Sequence, residues 1–132
     1  IKLILKKNSE KIFLKCDKEQ IGRVFFNLIK NSIESIQQKA EKNTKFSKKI
    51  SIEINDNNDH IQITLIDSGI GFNNLDNNIN EILSPYFTTK KNGTGLGLSI
   101  VNKIINDHNG ELTFNSITDG AKVEINFKKN VN

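Results

Sequence analysis

The stretch HIQITLIDSGIG, residues 60–71, joins a strand pattern to a glycine turn. Apolar and polar residues alternate over 60–66, as in a strand with one buried face. Asp67 then opens a turn in which Gly69 and Gly71 are one residue apart, a spacing that lets the backbone approach a flat ligand closely. A buried aspartate at a strand end needs a partner, and an exocyclic amine is one from which an ionised carboxylate accepts. A plain turn is the alternative, since Asp and Gly favour turns in general.

The same alternation recurs on both sides of this stretch, and each occurrence predicts a short strand. The polar residues 56–59 indicate a β-hairpin between two of these strands, and Asp119-Gly120 indicates a second tight turn. The predicted strands are 1–7, 11–15, 50–55, 60–66, 111–115 and 121–127.

Two segments carry helical periodicity instead. Over residues 18–39 the apolar side chains fall on one broad arc, and Asp17 with Gln20 predicts a capping box at the helix start. Residues 96–108 form a second amphipathic pattern, which an Asn-Gly pair ends. With the strands, these helices predict an α+β fold, a two-layer α/β sandwich whose mixed, mostly antiparallel sheet has helices on one face.

Between these elements lies a long segment, 72–95, with many Asn, one Pro and two Gly. Loops of this length are uncommon in compact domains unless they are functional. The segment is therefore predicted to be a flexible lid, with a short helical turn near 78–83.

Bulk composition bounds the class of protein. The 132 residues, 36% hydrophobic and 26% charged, suit a single domain over 1–132. No apolar run approaches the ~20 residues of a membrane span, and the start is neither Met nor a signal peptide, so we expect an excised, cytoplasmic fragment. The net charge of +4 comes with short basic pairs only, which disfavours a nucleic-acid partner. One cysteine excludes an internal disulfide, and the two histidines lack metal-ligand spacing.

Asn27 and Asn31 are spaced i and i+4, so a helix places both amides on one side, at the border of the apolar arc. The alternative to a binding role is that both asparagines simply face solvent, which is common in a chain this rich in Asn. A polar pair at such a border suits a metal-bound phosphate group, because an Asn carbonyl oxygen is a hard ligand for Mg²⁺.

The run GTGLGL, residues 93–98, ends the long segment and opens the second helix. Glycines at a helix N-terminus leave backbone N–H groups exposed at the positive end of the dipole, a combination that binds phosphate. A hinge before a capped helix is the alternative. The run is not a P-loop, because no Lys-Ser/Thr follows the glycines, and it is not a Rossmann fingerprint, because no strand precedes it.

These motifs, with PYFTTK at 85–90, stand in the order and spacing of the N, G1, F and G2 boxes. Over roughly residues 11–128 the chain therefore resembles the histidine-kinase-like ATPase family, also called the GHKL or Bergerat fold. The runs FTTK, GTGLGLSIV and HNG at 108–110 resemble sensor histidine kinases in particular. The nitrogen-regulation branch (NtrY- and NtrB-like) is most similar, on the stretch 31–35.

The resemblance implies a role for each motif. Asp67 would accept a hydrogen bond from the adenine amino group of ATP, with Gly69 and Gly71 shaping the turn beside the base. Asn31 would coordinate Mg²⁺ and Asn27 would orient the γ-phosphate, which makes these two the catalytic pair.

Around the phosphates, the resemblance implies that lysine side chains offset charge and that the glycine-run backbone wraps the oxygens. Phe87 would pack the lid against partner helices. The implied ATP-binding set is Asn27, Lys30, Asn31, Asp67, Gly69, Gly71, Thr89, Lys90, Gly93, Thr94, Gly95, Leu96, Gly97 and Leu98.

The implied function is transfer of the γ-phosphoryl group of ATP to a histidine on upstream dimerisation helices, for relay to a response regulator. ATP-hydrolysing branches of the superfamily carry a Glu base where this chain has Asn27, which takes no proton at neutral pH, so transfer is favoured over hydrolysis. Neither His60 nor His108 is a credible acceptor, so the phosphoacceptor domain is expected to be absent here, and the whole kinase to be cytoplasmic or anchored at a membrane. Glu34 and Ser35 stand where many sensor kinases have a basic and an aromatic residue. A GHKL-type ATPase or serine kinase, and a non-catalytic docking module, are the alternatives.

Overall fold

A computed structural model describes residues 1–71 and 97–129 of the chain. Within those ranges, strands form one sheet and two helices pack on it. The strands are β1 (Lys2–Lys7), β2 (Lys49–Asp56), β3 (His60–Asp67), β4 (Gly110–Ile117) and β5 (Gly120–Lys128), and the helices are α1 (Lys18–Lys42) and α2 (Gly97–Asp107).

The sheet has the order β1-β2-β3-β5-β4. β1 pairs in parallel with β2, and the other three pairings are antiparallel. The prediction of a mixed, mostly antiparallel sheet is therefore confirmed. The predicted lid at 72–95 and its helical turn lie outside the described residues.

The predicted strand at 11–15 is wrong, because these residues form no regular structure. β1 occupies the place beside β2, and because the two strands are parallel, the chain between them is a crossover that contains 11–15 and α1. The alternation has another cause: Ile12 and Leu14 pack against the core while Phe13 is 78% exposed.

α1 begins as the sequence predicts. Asp17 is extended, with φ −79° and ψ 113°, and its carboxylate accepts a hydrogen bond from the backbone N–H of Gln20 at 3.0 Å. The backbone N–H of Asp17 donates to Nε2 of His108 at 3.0 Å. In a capping box the side chain of Gln20 would accept this hydrogen bond, so His108 takes the place of Gln20. Because Nε2 accepts, Nδ1 carries the ring proton and donates to the carbonyl oxygen of Ile104 at 2.7 Å. His108 thus ties the end of α2 to the start of α1.

The core lies between the helices and one face of the sheet. Strand alternation sends every second side chain of β2, β3 and β5 to that face, and α1 adds a ridge at i, i+4 spacing. The buried apolar side chains are Val24, Leu28, Ile36, Ile50, Ile52, Ile61, Ile63, Leu65, Val101, Ile104, Ile105, Phe114, Ala121, Val123, Ile125 and Phe127.

The connection from α2 to β4 is as the Asn-Gly pair predicts. Asn109 adopts a left-handed conformation with φ 59°, which asparagine tolerates. Gly110 is buried, and a Cβ atom there would lie 2.8 Å from Cγ2 of Ile105 and 2.9 Å from Cδ1 of Phe127. The glycine therefore lets the chain turn from helix into sheet directly against the core.

Candidate functional site

Asp67 is the buried charged residue at the end of β3. It stands opposite Ile50 of β2 and Ala121 of β5, so strand alternation points its side chain to the helix-covered face. Only 5% of the residue is exposed, and Oδ1 accepts a hydrogen bond from the backbone N–H of Gly69 at 2.9 Å. A carboxylate in this position keeps further acceptor sites for a donor from the outside.

Burial raises the pKa of the Asp67 carboxyl above its usual value near 3.8, because removal of water disfavours the charged form. Opposing effects lower the pKa: hydrogen bonds from the backbone of Gly69, the hydroxyl of Ser32 and the backbone of Ala121, and the positive charge of Lys39. The site therefore holds a carboxyl group whose protonation depends on its surroundings, as is common for groups that contact ligands.

α1 holds the turn that follows Asp67 through side chains on its second half. The hydroxyl of Ser35 accepts from the backbone N–H of Ile70 at 2.9 Å. The ammonium group of Lys39 donates to the carbonyl oxygen of Ser68 at 3.1 Å. With the contact from Ser32 to Asp67, α1 thus engages the turn at positions i, i+3 and i+7.

The turn at 67–71 requires glycine at two positions. A Cβ atom on Gly69 would lie 2.1 Å from Oγ and 2.7 Å from Cβ of Ser35, so the turn lies directly on α1. Gly71 has φ 74°, and a Cβ atom there would lie 2.6 Å from the carbonyl oxygen of Gly120. The turn thus lies directly against other parts of the protein, and its predicted close approach to a flat ligand stays a prediction.

The two asparagines lie in line with this turn. Asn27, Asn31 and Ser35 are spaced four residues apart on α1, so they form one row, rising about 6 Å at each step. Ser35 contacts the turn, and both asparagines are half-buried along the same flank toward the helix start. The structure therefore brings Asn27 and Asn31 onto the helix flank that leads away from Asp67.

Lys30 is placed differently. It is exposed and lines a shallow apolar groove of about 400 Å³ together with Ile29 and Ile33, off the row of the asparagines. Its phosphate contact stays a prediction.

Two residues of the glycine run, Gly97 and Leu98, are described, and they form the first turn of α2. Among the described residues, no atom lies within 4 Å of the position that a Cβ atom on Gly97 would occupy. The predicted contacts at Thr89, Lys90, Gly93, Thr94, Gly95 and Leu96 lie outside the described residues.

Sequence reasoning did not single out Ser32 and Lys39. A signal was present for Ser32, because it is a polar residue within the buried ridge Val24, Leu28, Ile36 of an otherwise apolar arc. Lys39 gave no such signal, since a lysine in the last turn of a helix is ordinary and favourable for the helix dipole.

In the part of the chain that the structure describes, no helix has the length and apolar character needed to cross a membrane.

The fold and a match to a known family define a class of nucleotide-binding protein. Residues 16–131 match the family model described as histidine kinase-, DNA gyrase B-, and HSP90-like ATPase. The chain therefore belongs to that ATPase family, and the resemblance and the α+β sandwich expected from its sequence are confirmed. Within the family it is an ATP-binding catalytic domain of the histidine kinase type.

Named relatives point to the same branch. The chain is 36% identical over 121 residues to a putative sensor histidine kinase, NtrY-like, of Rickettsia felis, covering 91% of the chain and 19% of that protein. It is 36% identical over 101 residues to sporulation kinase E of Bacillus subtilis, covering 76% of the chain and 12% of that protein. The chain thus spans about a fifth or less of the length of these relatives.

Solved structures agree. The catalytic domain of histidine kinase ThkA, in a nucleotide-free form, superposes with a TM-score of 0.78 at 30% identity, covering 97% of this chain and 78% of that one. ThkA has also been solved in complex with the response regulator protein TrrA, and there the match covers 34% of the ThkA chain with a TM-score of 0.73 and 28% identity.

Proposed function

We propose that this chain binds ATP with Mg²⁺ along the flank of α1 and, within the intact protein, donates the γ-phosphoryl group to a histidine on a separate dimerisation domain. The observation that carries the proposal is Asp67, a carboxylate that is 5% exposed at a strand end. Burial of such a group costs free energy, and a fold that retains it gains a directed acceptor for a ligand donor.

The base would bind at the 67–71 turn. The exocyclic amine of adenine is a donor that suits the carboxylate of Asp67, while Gly69 donates to the same group and holds it in place. Because Gly69 and Gly71 lie against the protein's own backbone and helix, they fix the depth of the base pocket.

The metal would bind at the flank of α1. Asn31 offers a side-chain carbonyl oxygen, a ligand type that Mg²⁺ accepts, on the same helix row as the turn contact of Ser35. Among the described residues there is no cluster of three or more His, Cys, Asp or Glu. That fits Mg²⁺ held by one protein oxygen together with phosphate oxygens and water, a common arrangement for this ion.

The phosphates would reach toward the start of α2. The first turn of that helix, with Gly97 and Leu98, presents backbone N–H groups and the positive dipole end. Thr89, Lys90, Gly93, Thr94, Gly95 and Leu96 are proposed to complete the phosphate contacts, with Lys30 as a further candidate.

Transfer is favoured over hydrolysis by the chemistry of Asn27. An amide takes no proton at neutral pH, so it orients a phosphate group without activating water. The domain would then contribute positioning and charge neutralisation, and the nucleophile would come from the dimerisation helices. A response regulator, the partner seen with ThkA, would receive the phosphoryl group next.

Calorimetric titration with ATP and Mg²⁺ tests the binding site. Asp67→Asn should weaken ATP by about 10- to 100-fold, because hydrogen bonds to charged groups contribute about 1.5–3 kcal/mol. Asp59→Asn, the same change on an exposed hairpin residue, should leave binding unchanged. Equal affinity of Asp67→Asn and the wild type would contradict the adenine contact, and no binding by the wild type would favour a docking module.

Labelling with γ-phosphate-labelled ATP tests the reaction. The intact protein should acquire an acid-labile label, as expected of a phosphohistidine, and this chain alone should acquire none. Steady ATP turnover by the isolated chain would favour the ATPase alternative instead.

A further inference from the structure

The ammonium group of Lys39 lies where three parts of the chain meet. It donates to the carbonyl oxygen of Ser68 at 3.1 Å and to the carbonyl oxygen of Asp119 at 3.4 Å. It also lies 4.7 Å from the ring centroid of Phe46, within the range of a cation–π contact. Lys39 therefore joins α1 to the turn after β3 and to the turn before β5.

Those two turns touch through their backbones. A Cβ atom on Gly120 would lie 1.9 Å from the carbonyl oxygen of Asp67, and one on Gly71 would lie 2.6 Å from the carbonyl oxygen of Gly120. The two turns are therefore in direct contact, and Lys39 is a side chain that bonds to both.

We propose that Lys39 is a positioning residue for nucleobase recognition: its ammonium group clamps the 67–71 turn to the 117–120 turn and places a positive charge at the carbonyl of Ser68, the residue that follows Asp67. The inference rests on the proposed function, in which that carboxylate contacts adenine. It adds a residue from the last turn of α1, outside the glycine and asparagine motifs.

Lys39 contributes a charge near Asp67, behind the hydrogen bonds from Gly69, Ser32 and Ala121 in the described structure. From α1 the other polar group is the Ser32 hydroxyl, and β2 and β5 place Ile50 and Ala121 opposite the aspartate. The lysines next to these two positions, at 49 and 122, alternate to the other face of the sheet. The ammonium of Lys39 accordingly opposes the effect of burial and helps to keep the carboxylate ionised.

This role has a consequence that a purely structural contact lacks. A neutral carboxyl is a weaker acceptor than a carboxylate. Without the charge of Lys39, the pKa of Asp67 should rise further. When pH is lowered, the ADP affinity of the variant should therefore begin to fall at a higher pH than that of the wild type. A contact that only stiffens the turn would instead lower affinity by the same factor at every pH.

The experiment compares Lys39→Met, which removes the charge and keeps an unbranched side chain one atom shorter, with Lys39→Arg, which keeps a cation. Lys42→Met is the matched control, a lysine of the same helix turn that is exposed. Carbon-13 NMR of the Asp67 carboxyl, without nucleotide, gives its pKa in each protein. Calorimetry gives the ADP affinity of each protein over about pH 5–8. The ratio of the variant's affinity to that of the wild type at each pH cancels the titration of the ligand.

We expect Lys39→Met to raise the pKa of Asp67 and to lose about threefold in ADP affinity at the upper end of the range and tenfold or more at the lower end. Lys39→Arg and Lys42→Met should stay close to the wild type. An unchanged pKa of Asp67 in Lys39→Met, a pH-independent loss, or a failure of Lys39→Arg to restore the wild-type profile would each overturn the inference.

Folding is checked in every variant by its thermal transition, and if Lys39→Met does not fold, Lys39→Gln, a neutral donor, takes its place with the same expected results. The NMR measurement needs no nucleotide. A wild type that binds no ADP would therefore refute the proposed function, and with it the recognition role, while a wild type that binds with an unaltered Lys39→Met profile would refute the inference alone.

Discussion

The two halves of α1 are held in place by different means. At its start, Asp17 caps the helix locally and His108 bonds to the cap from the end of α2. Along its second half, Ser35 and Lys39 bond to backbone groups of the turn after β3. The first set fixes one helix against the other, and the second fixes the helix against the proposed base pocket.

This difference separates stability from binding. Contacts at the start of α1 lie far along the helix from the 67–71 turn, so damage there should lower the free energy of unfolding with little effect on nucleotide affinity. Contacts of the second half border Asp67, so damage there should affect both properties. Three further predictions test the separation, from the largest expected effect to the smallest.

Gly120→Ala should cause the largest loss. Its Cβ atom would lie 1.9 Å from the carbonyl oxygen of Asp67, a backbone atom that cannot rotate away. We expect the free energy of unfolding to fall by about 3 kcal/mol, at the upper end of typical overpacking costs, and ADP affinity to fall as well. Denaturant unfolding and calorimetry measure the two effects.

Gly22→Ala is the matched control, because a Cβ atom there meets nothing within 4 Å and the residue is exposed within α1. It should stabilise the domain by about 0.5–1 kcal/mol, since Ala has the higher helix propensity. Equal behaviour of the two alanine variants would contradict the packing of the 67–71 turn against β5.

His108→Ala should have an intermediate effect confined to stability. It removes the acceptor for Asp17 and the donor to Ile104, which should cost about 1–2 kcal/mol. ADP affinity should be unchanged within twofold. His60→Ala, at an exposed strand start, should change stability by less than about 0.5 kcal/mol. A large loss of affinity in His108→Ala would show that the two halves of α1 are not separate.

The pH dependence of stability should give the smallest effect, because several hydrogen bonds offset part of the burial of Asp67. The folded-state pKa lies above the unfolded one, so the stability that this group contributes is present at low pH and is lost as pH rises through the folded pKa. Asp67→Asn stays neutral at every pH. Its free energy of unfolding, relative to the wild type, should therefore increase as the pH rises from about 4 to 7. Unfolding curves at each pH measure the difference, and a relative gain on acidification instead would contradict the sign.

Much of the fold was predictable because its signals are local. Period-2 alternation over 60–66 and 121–127 marks strands, and the cap at Asp17 marks the start of α1 within one residue. The same rule failed at 11–15, where alternation is present but the residues form no strand, and Ile12 and Leu14 pack against the core. Alternation in the sequence indicates which side chains are buried, but it does not indicate which element covers them.

By itself the sequence determined the helices and strands that the structure describes, apart from the false strand at 11–15, as well as the motifs and the family. Each of these depends on residues that are near one another in the chain. The tertiary structure decided that His108 would complete the cap of Asp17, 91 residues away, and that Lys39 would bond to Asp119, 80 residues away. Hydrogen bonds and charges act over a few ångströms, so such contacts form only after packing has brought distant backbones together. A lysine in the last turn of a helix looks the same in the sequence whether it is solvated or lies near a buried carboxylate.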